Sequence, residues 1–171
     1  MASTATVYFN HGKESGPWGT KIQALAAVAR ERGLAVASPD YSFSHDPDER
    51  LHHLRGLEPP TGDQLILVGS SMGGYVAAMA SEALRPAGLF LMAPALDMPG
   101  YPGTPQPHTG TIEVIHGWHD AIVPIAKSWD FAASHAAALH CLDDGHDLRG
   151  QLKRITRLFD DFLGRLTAGN D

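Results

Sequence analysis

The strongest candidate for chemistry in this sequence is a serine at the end of an apolar run. Within "LILVGSSMGG" (residues 65–74), the segment "GSSMG" fits the pattern G-x-S-x-G with Ser71 at its centre. That pattern is typical of a sharp strand-to-helix turn that exposes the serine hydroxyl, with glycines where the two elements approach closely. The amino end of the following helix faces the same point and can stabilise an oxyanion. The stretch therefore predicts Ser71 as a nucleophile.

Two alternatives stay open on this stretch alone. One is a glycine-rich turn without chemistry, because G-x-S-x-G also arises by chance. The other is Ser70 as the nucleophile. Glycines do not flank Ser70 symmetrically, so we expect it to be a packed residue whose side chain points away from the site.

A serine nucleophile needs a base, and the base usually needs a carboxylate to orient it. If the apolar run before Ser71 is a strand of a parallel α/β sheet, the acid and the histidine should both follow later strands, in the chain order serine, acid, histidine. Asp120 lies just past the predicted strand in "TIEVIHG", and His146 lies just past the one in "ALHCL". Asp97, which also follows a strand, is the alternative acid.

Short apolar segments alternate with segments of helical period along the whole chain. The predicted strands are 5–10, 34–38, 64–69, 87–93, 111–117 and 138–142. The predicted helices carry Ile22, Leu25, Ala26 and Ala29, then Leu51, Leu54 and Leu57 after an Asp46-Pro47 cap, then 73–84, then 124–133, and last Leu148, Leu152, Ile155, Phe159 and Phe162. This alternation predicts one α/β domain over residues 1–171: a doubly wound, mostly parallel six-stranded sheet with helices on both faces. A Pro/Gly-rich loop, 94–110, leaves the ligand-binding edge of that sheet.

Composition narrows the classes of partner. The 171 residues carry a net charge of −6, which gives no reason to expect nucleic acid or an anionic membrane. No apolar stretch approaches the ~20 residues of a membrane span, and the start does not resemble a signal peptide. The single cysteine, Cys141, fits a reducing compartment, so we expect a cytoplasmic protein. The ten histidines lack metal-ligand spacing, so no metal is expected, and the sequence leaves the oligomeric state open.

Four motifs in this order resemble those of a small, lidless serine hydrolase of the α/β-hydrolase fold: "NHGKES" (10–15), "GSSMGG" (69–74), "HGWHDAIVP" (116–124) and "DGHD" (144–147). The resemblance covers nearly the whole chain, although the family's first two strands and its helical cap have no counterpart. It implies Ser71 as nucleophile, Asp120 as acid and His146 as base. It also implies an oxyanion hole made by the backbone N–H groups of Met72 and Lys13.

The resemblance implies a small or medium ester-type acyl substrate, no cofactor and an acyl-enzyme intermediate. Thioesterase or peptidase activity with the same triad remains an alternative, as does a non-catalytic binding protein. Some residues in loops at the carboxyl edge of the sheet are expected either to line the substrate pocket or to cap the ends of the core: Trp18, Tyr41, Met98, Tyr101 and Trp118. His11 and His116 are expected to make structural hydrogen bonds at strand ends, and His119 to line the pocket or face solvent.

Overall fold

The computed structural model describes residues 4–108 and 110–168, and its centre is one six-stranded sheet. The strands are β1 (Thr6–Asn10), β2 (Ala35–Ala37), β3 (Leu65–Ser70), β4 (Gly88–Met92), β5 (Ile112–Gly117) and β6 (Ala138–Leu142). Their order across the sheet is β2-β1-β3-β4-β5-β6, and every neighbouring pair is parallel. The predicted strands and fold class are confirmed, and the mostly parallel sheet is parallel throughout.

The described residues form five α-helices: α1 (Thr20–Glu31), α2 (Pro47–Gly56), α3 (Met72–Leu84), α4 (Ile125–His135) and α5 (Leu152–Thr167). The first four lie between strands, and α5 follows β6. Asp46 caps α2 as predicted, since its side chain accepts hydrogen bonds from the N–H groups of Asp48 and Glu49. Leu57 does not share the buried face of Leu51 and Leu54. It lies past the last residue of α2 and is 44% exposed.

The helices cover both faces of the sheet because successive strand residues point to opposite sides. On one face, α1 and α5 pack on residues such as Phe9 and Val68. On the other face, α2, α3 and α4 pack on residues such as Leu65 and Leu67. Strands buried on both faces explain why β3 and β4 read as continuous apolar runs.

The carboxyl ends of β3, β5 and β6 meet at one edge of the sheet. Ser71 directly follows β3, Asp120 follows β5 by a short turn, and His146 lies in the loop after β6. The loop predicted at 94–110 follows β4, and Gly103 N–H ties it to the Tyr75 hydroxyl at 3.0 Å; residue 109 of that loop lies outside the described part. Over residues 4–108 and 110–168, no helix is both long and apolar enough to cross a membrane.

Candidate active site

Ser71 lies on a strained turn between β3 and α3. Its φ of 54° and ψ of −118° are rare for a residue with a side chain and cost on the order of 1–3 kcal/mol. The turn is held by its carbonyl, which accepts hydrogen bonds from the N–H groups of Gly74 (2.9 Å), Tyr75 (3.2 Å) and Ala95 (3.0 Å). These bonds fix the direction in which the hydroxyl points.

The glycines on either side are required by close backbone approach. A Cβ at Gly73 would overlap the backbone carbonyl of Asn10, and one at Gly69 would overlap the carbonyl of Gly73. No side chain fits between strand and helix at these two positions. The motif therefore packs the turn tightly instead of making it flexible.

Ser71, His146 and Asp120 form a continuous hydrogen-bonded chain. The Ser71 Oγ lies 3.0 Å from His146 Nε2, and His146 Nδ1 lies 2.8 Å from Asp120 Oδ2. An ionised carboxylate can only accept, so Nδ1 carries the hydrogen and Nε2 is left to accept from the serine hydroxyl. That tautomer is the one in which the imidazole can remove the serine proton.

Asp120 is held ionised by four donors. Its Oδ1 accepts from the N–H groups of Ile122 and Val123, each at 2.8 Å. Its Oδ2 receives His146 Nδ1–H and also lies 3.0 Å from His116 Nε2. Burial alone would raise the pKa of Asp120, but the hydrogen bonds from His146, Val123 and Ile122 hold it below its usual value.

His116 is fully buried, and its Nε2 contacts the same Asp120 oxygen, Oδ2, as His146 Nδ1. Its Nε2 also lies 2.9 Å from the Val123 carbonyl, so this nitrogen faces two acceptors and carries the hydrogen. Its Nδ1 lies 2.7 Å from Ser128 Oγ and accepts from that hydroxyl. His116 makes structural hydrogen bonds, as expected, but one of them reaches the candidate triad.

Ser70 does not point away from the site, contrary to the expectation from the sequence. It is buried as expected, but it is among the residues that line the same cavity as Ser71, and its Oγ accepts a hydrogen bond of 2.9 Å from Lys21 Nζ. Successive side chains of a regular strand point to opposite faces, but the positive φ of Ser71 ends that alternation, so both serines border one cavity. The site thus contains two serines with opposite hydrogen-bond roles: the Ser71 hydroxyl donates to His146 Nε2, and Ser70 Oγ accepts from the Lys21 ammonium.

The backbone N–H groups distinguish the two serines as candidate nucleophiles. An oxyanion hole uses the N–H of the residue after the nucleophile. For Ser70 that group is Ser71 N–H, which already donates to the Met92 carbonyl at 3.0 Å. For Ser71 it is Met72 N–H, at the amino end of α3, which has no acceptor among residues 4–108 and 110–168. This arrangement favours Ser71.

The loop after β1, which carries Lys13, is held by a buried arginine. The Arg50 guanidinium donates to the carbonyls of His11 (3.1 Å), Gly12 (3.0 Å) and Lys13 (3.2 Å), and also to that of Ser44 (2.8 Å). These bonds fix three consecutive peptide units. They thereby fix the direction of the Lys13 N–H, the second predicted oxyanion donor. Lys13 is one of the residues that line the cavity.

Tyr41 supports the same loop and does not line the cavity beside Ser71, so it caps the core and the expectation that it lines a pocket is corrected. It is fully buried, and its hydroxyl donates to Asn10 Oδ1 at 2.7 Å. Its N–H donates to His11 Nε2 at 2.9 Å, so the other ring nitrogen, Nδ1, donates to the Gly12 carbonyl at 2.8 Å. Burial lowers the pKa of His11 and keeps it neutral in this structural role.

A cavity of about 540 Å³ opens in front of Ser71 and His146. Tyr101 lines it, as predicted, together with Ile122 and charged residues of the loops after β1 and β6. Three predicted pocket residues do not line it. Trp18 is 41% exposed with the Arg30 guanidinium over its ring, Trp118 is 58% exposed, and Met98 is half-buried in the loop after β4.

Two further alternatives from the sequence lie away from the triad. Asp97, the alternative acid, is exposed and pairs with Lys127 Nζ at 2.6 Å. His119 is exposed, and its Nε2 lies 2.7 Å from Asp143 Oδ1. In the part of the chain that the structure describes, no three His, Cys, Asp or Glu side chains are grouped to hold a metal ion.

Sequence reasoning missed Arg50, Lys21 and the contact of His116 with Asp120. Arg50 and Lys21 stand in amphipathic helices, where a basic residue normally indicates a solvated position. For His116 a signal existed, since it precedes Asp120 by four residues at the end of a strand. For Arg50 and Lys21 the sequence contains no such signal, and their roles become visible only in the folded structure.

Comparisons with known proteins agree with this architecture. A family model described as "Uncharacterised protein family (UPF0227)" matches residues 6–155. A Xanthomonas campestris pv. campestris protein assigned to the α/β hydrolase superfamily is 30% identical, with a TM-score of 0.84 over 94% of this chain and 99% of that one. A comparison with curated proteins found no significant match.

Two more distant structures share the fold. One is a serine hydrolase without lid from Xanthomonas campestris (22% identity, TM-score 0.70, 94% of this chain and 81% of that one). The other is Est1E from Butyrivibrio proteoclasticus (16% identity, TM-score 0.79, 96% of this chain and 89% of that one). The family model covers most of the chain, and the 30%-identical relative shares its fold over 94% of its length. The chain therefore belongs to the UPF0227 family and to the α/β hydrolase superfamily.

Proposed function

We propose that the protein is a serine hydrolase that cleaves esters of small or medium acyl groups through an acyl-enzyme. The observation that carries the proposal is the hydrogen-bonded chain Ser71–His146–Asp120, with distances of 3.0 and 2.8 Å, at the wall of an open cavity. Membership of a hydrolase superfamily supports the reaction class. The assignment of roles to the three residues is our own inference from geometry.

In the proposed first half-reaction, His146 Nε2 takes the proton of the Ser71 hydroxyl as Oγ attacks the ester carbonyl carbon. The oxyanion of the tetrahedral intermediate accepts hydrogen bonds from the backbone N–H groups of Met72 and Lys13. The imidazolium then protonates the leaving alkoxide, and the acyl group stays on Oγ. Asp120 remains ionised throughout and stabilises the imidazolium.

In the second half-reaction, water replaces the alcohol. His146 removes a proton from the water as its oxygen attacks the acyl carbon, and the same two N–H groups hold the oxyanion. Collapse of the intermediate returns the proton to Ser71 Oγ and releases the carboxylic acid. Apart from the ester and water, these steps use only groups of the chain itself.

A purely binding role is the contrasting hypothesis. It would be favoured by a wide separation of base and nucleophile, or by a pocket blocked by Tyr101 or Trp18. The 3.0 Å contact between His146 and Ser71 supports catalysis instead, as does a cavity of about 540 Å³ that Tyr101 lines without filling and that Trp18 does not line. A cytoplasmic location stays a prediction of the composition, and cell fractionation with an antibody to the chain tests it.

Burst kinetics with p-nitrophenyl acetate test the proposed function. We expect a rapid release of one p-nitrophenolate per active site, followed by slower turnover, and its loss in Ser71→Ala. A panel of matched p-nitrophenyl esters, thioesters and anilides then ranks the acyl classes. A wild-type protein with neither burst nor turnover on the panel would contradict the proposal, as would a Ser71→Ala variant that keeps both.

A further inference from the structure

Lys21 is a cation placed inside the candidate active site. It lies in the first turn of α1, is half-buried, and lines the cavity that contains Ser71 and His146. Its Nζ donates to Ser70 Oγ at 2.9 Å. An ammonium has three N–H donors, so two remain for other acceptors.

The charge of Lys21 has no direct partner in the protein. Within residues 4–108 and 110–168, no carboxylate oxygen lies within 4.0 Å of its Nζ. The carboxylates of Asp147, Asp120 and Asp144 act on it only from longer range. Asp120 is already engaged by four donors, as described above. A half-buried cation without a counter-ion favours binding of an anion from outside the chain.

The other basic residues of the cavity are differently placed. Arg149 is exposed, and its Nε lies 3.7 Å from Asp147 Oδ2. Lys13 is exposed, and its side chain has no fixed partner in the described ranges. Burial lowers the pKa of Lys21, which is the expected response of an ammonium that has lost water without gaining a carboxylate. Of the three basic residues, Lys21 is thus the one whose charge a bound anion would stabilise most.

The cavity also limits how much negative charge it accepts. Glu14 and Asp147 line it along with the three basic residues. A compact ammonium with two free donors matches one carboxylate group, whereas a phosphate dianion usually meets several cations or backbone N–H groups. The lining therefore favours a singly charged group over a doubly charged one.

We propose that Lys21 binds a carboxylate carried by the substrate, so that the preferred esters are those of a dicarboxylic acid or of a carboxylate-bearing alcohol. This inference rests on the proposed function, since it assigns the substrate class of the same site. Lys21 acts here as a specificity residue that touches the substrate away from the scissile bond. Ser70 orients it through the 2.9 Å hydrogen bond.

Matched ester pairs test the inference on both sides of the scissile bond. The acyl-side pair is 4-nitrophenyl hydrogen adipate and methyl 4-nitrophenyl adipate; the alcohol-side pair is 4-acetoxybenzoate and its methyl ester. Within each pair the carboxylate is replaced by its methyl ester, uncatalysed hydrolysis is subtracted, and comparison of wild type with the Lys21 variants separates the effect of the charge from that of the added methyl group. The readout is the ratio of kcat/KM for the acid to kcat/KM for the methyl ester, from which any inactive fraction of enzyme cancels.

We expect the wild-type ratio to favour the acid about tenfold in at least one pair, and Lys21→Gln and Lys21→Met to remove that preference; tenfold corresponds to about 1.4 kcal/mol. The control is Lys153→Met, which removes the same charge from an exposed position of α5 outside the cavity. It should leave the ratio within twofold of wild type. If the variants do not fold, the wild-type ratio alone decides, since no preference for either acid overturns the inference.

The outcomes separate this inference from the proposed function. Hydrolysis that depends on Ser71, with ratios that Lys21→Gln and Lys21→Met leave unchanged in both pairs, overturns the role of Lys21 alone. Hydrolysis that persists in Ser71→Ala, or no hydrolysis of any of the four esters, overturns the proposed function and the inference with it. A Lys21-dependent ratio in either pair supports both.

Discussion

Arg50 is predicted to support catalysis without touching the substrate. Its fully buried guanidinium donates to three consecutive carbonyls of the loop that carries the predicted oxyanion donor Lys13. In Arg50→Met the Gly12 carbonyl keeps the hydrogen bond from His11 Nδ1, whereas the carbonyls of His11 and Lys13 lose their donor. An unsatisfied acceptor costs about 1–3 kcal/mol, and the lower end of that range gives about 2 kcal/mol for two carbonyls. For a chain of this size such a loss lowers Tm by about 4–8 °C.

The effect on rate follows from the oxyanion hole. Complete loss of one oxyanion donor lowers kcat by about 10²–10³. Arg50→Met loosens the Lys13 N–H without removing it, so we expect kcat to fall about ten- to a hundredfold. KM should change little, because the donor acts on charge that develops in the transition state. Arg50→Lys should show the same direction, since an ammonium lacks the planar fork that spans several carbonyls.

Steady-state hydrolysis of p-nitrophenyl acetate and thermal unfolding measure the two effects on the same samples. The control is Arg157→Met, which removes an equal charge from an exposed position of α5. It should change neither kcat nor Tm appreciably. A folded Arg50→Met protein with kcat within twofold of wild type would refute the positioning role. A fall in Tm without a fall in kcat would leave Arg50 with a structural role only.

Three other predictions concern the turn and the acid. Gly73→Ala should destabilise the protein by about 3 kcal/mol, because its Cβ overlaps the Asn10 carbonyl. Gly56→Ala, with open space at its Cβ, should instead stabilise it by roughly 0.5–1 kcal/mol in urea unfolding; equal effects of the two would contradict the packing argument. His116→Ala should lower kcat about tenfold at nearly constant KM, because Asp120 loses one of the groups that position it. A 1 Å misplacement of catalytic groups costs up to ~10²-fold, so a tenfold effect corresponds to a smaller displacement. An unchanged kcat would show that His116 does not position the candidate triad. The lowered pKa of Asp120 adds stability that is present above its unfolded pKa of about 3.9 and lost as the pH falls through the lower folded value. Between about pH 5 and pH 2 the unfolding free energy of Asp120→Asn should therefore decline less steeply than that of wild type, and parallel curves would contradict that sign.

The sequence was sufficient to predict the strands, the helices and the edge of the sheet that carries the candidate triad. This follows because strands buried on both faces read as apolar runs, and helix caps such as Asp46 have local signatures. The three triad residues could be chosen because each lies within four residues of the end of a strand. Their mutual distances could not, because they depend on how the loops close.

Side-chain direction in loops was the weakest part of the prediction. Trp18 and Trp118 lie at the expected edge of the sheet but point to solvent, and Tyr41 points into the core. An aromatic residue in a loop has no periodicity that fixes its direction. Ser70 was misjudged for a related reason, since the left-handed backbone at Ser71 breaks the alternation of the strand. Arg50 is fully buried in a helix of mostly polar residues, and only the carbonyls of the neighbouring loop explain why.

The central claim is that Ser71, and not Ser70, is the nucleophile. A fluorophosphonate probe followed by peptide mapping tests it most directly, because the peptide that carries the phosphonyl group identifies the attacking oxygen. We expect one adduct per chain, on Ser71, absent in Ser71→Ala and still on Ser71 in Ser70→Ala. An adduct on Ser70 in the wild-type protein would contradict it, and would point instead to the Lys21–Ser70 pair as the reacting unit.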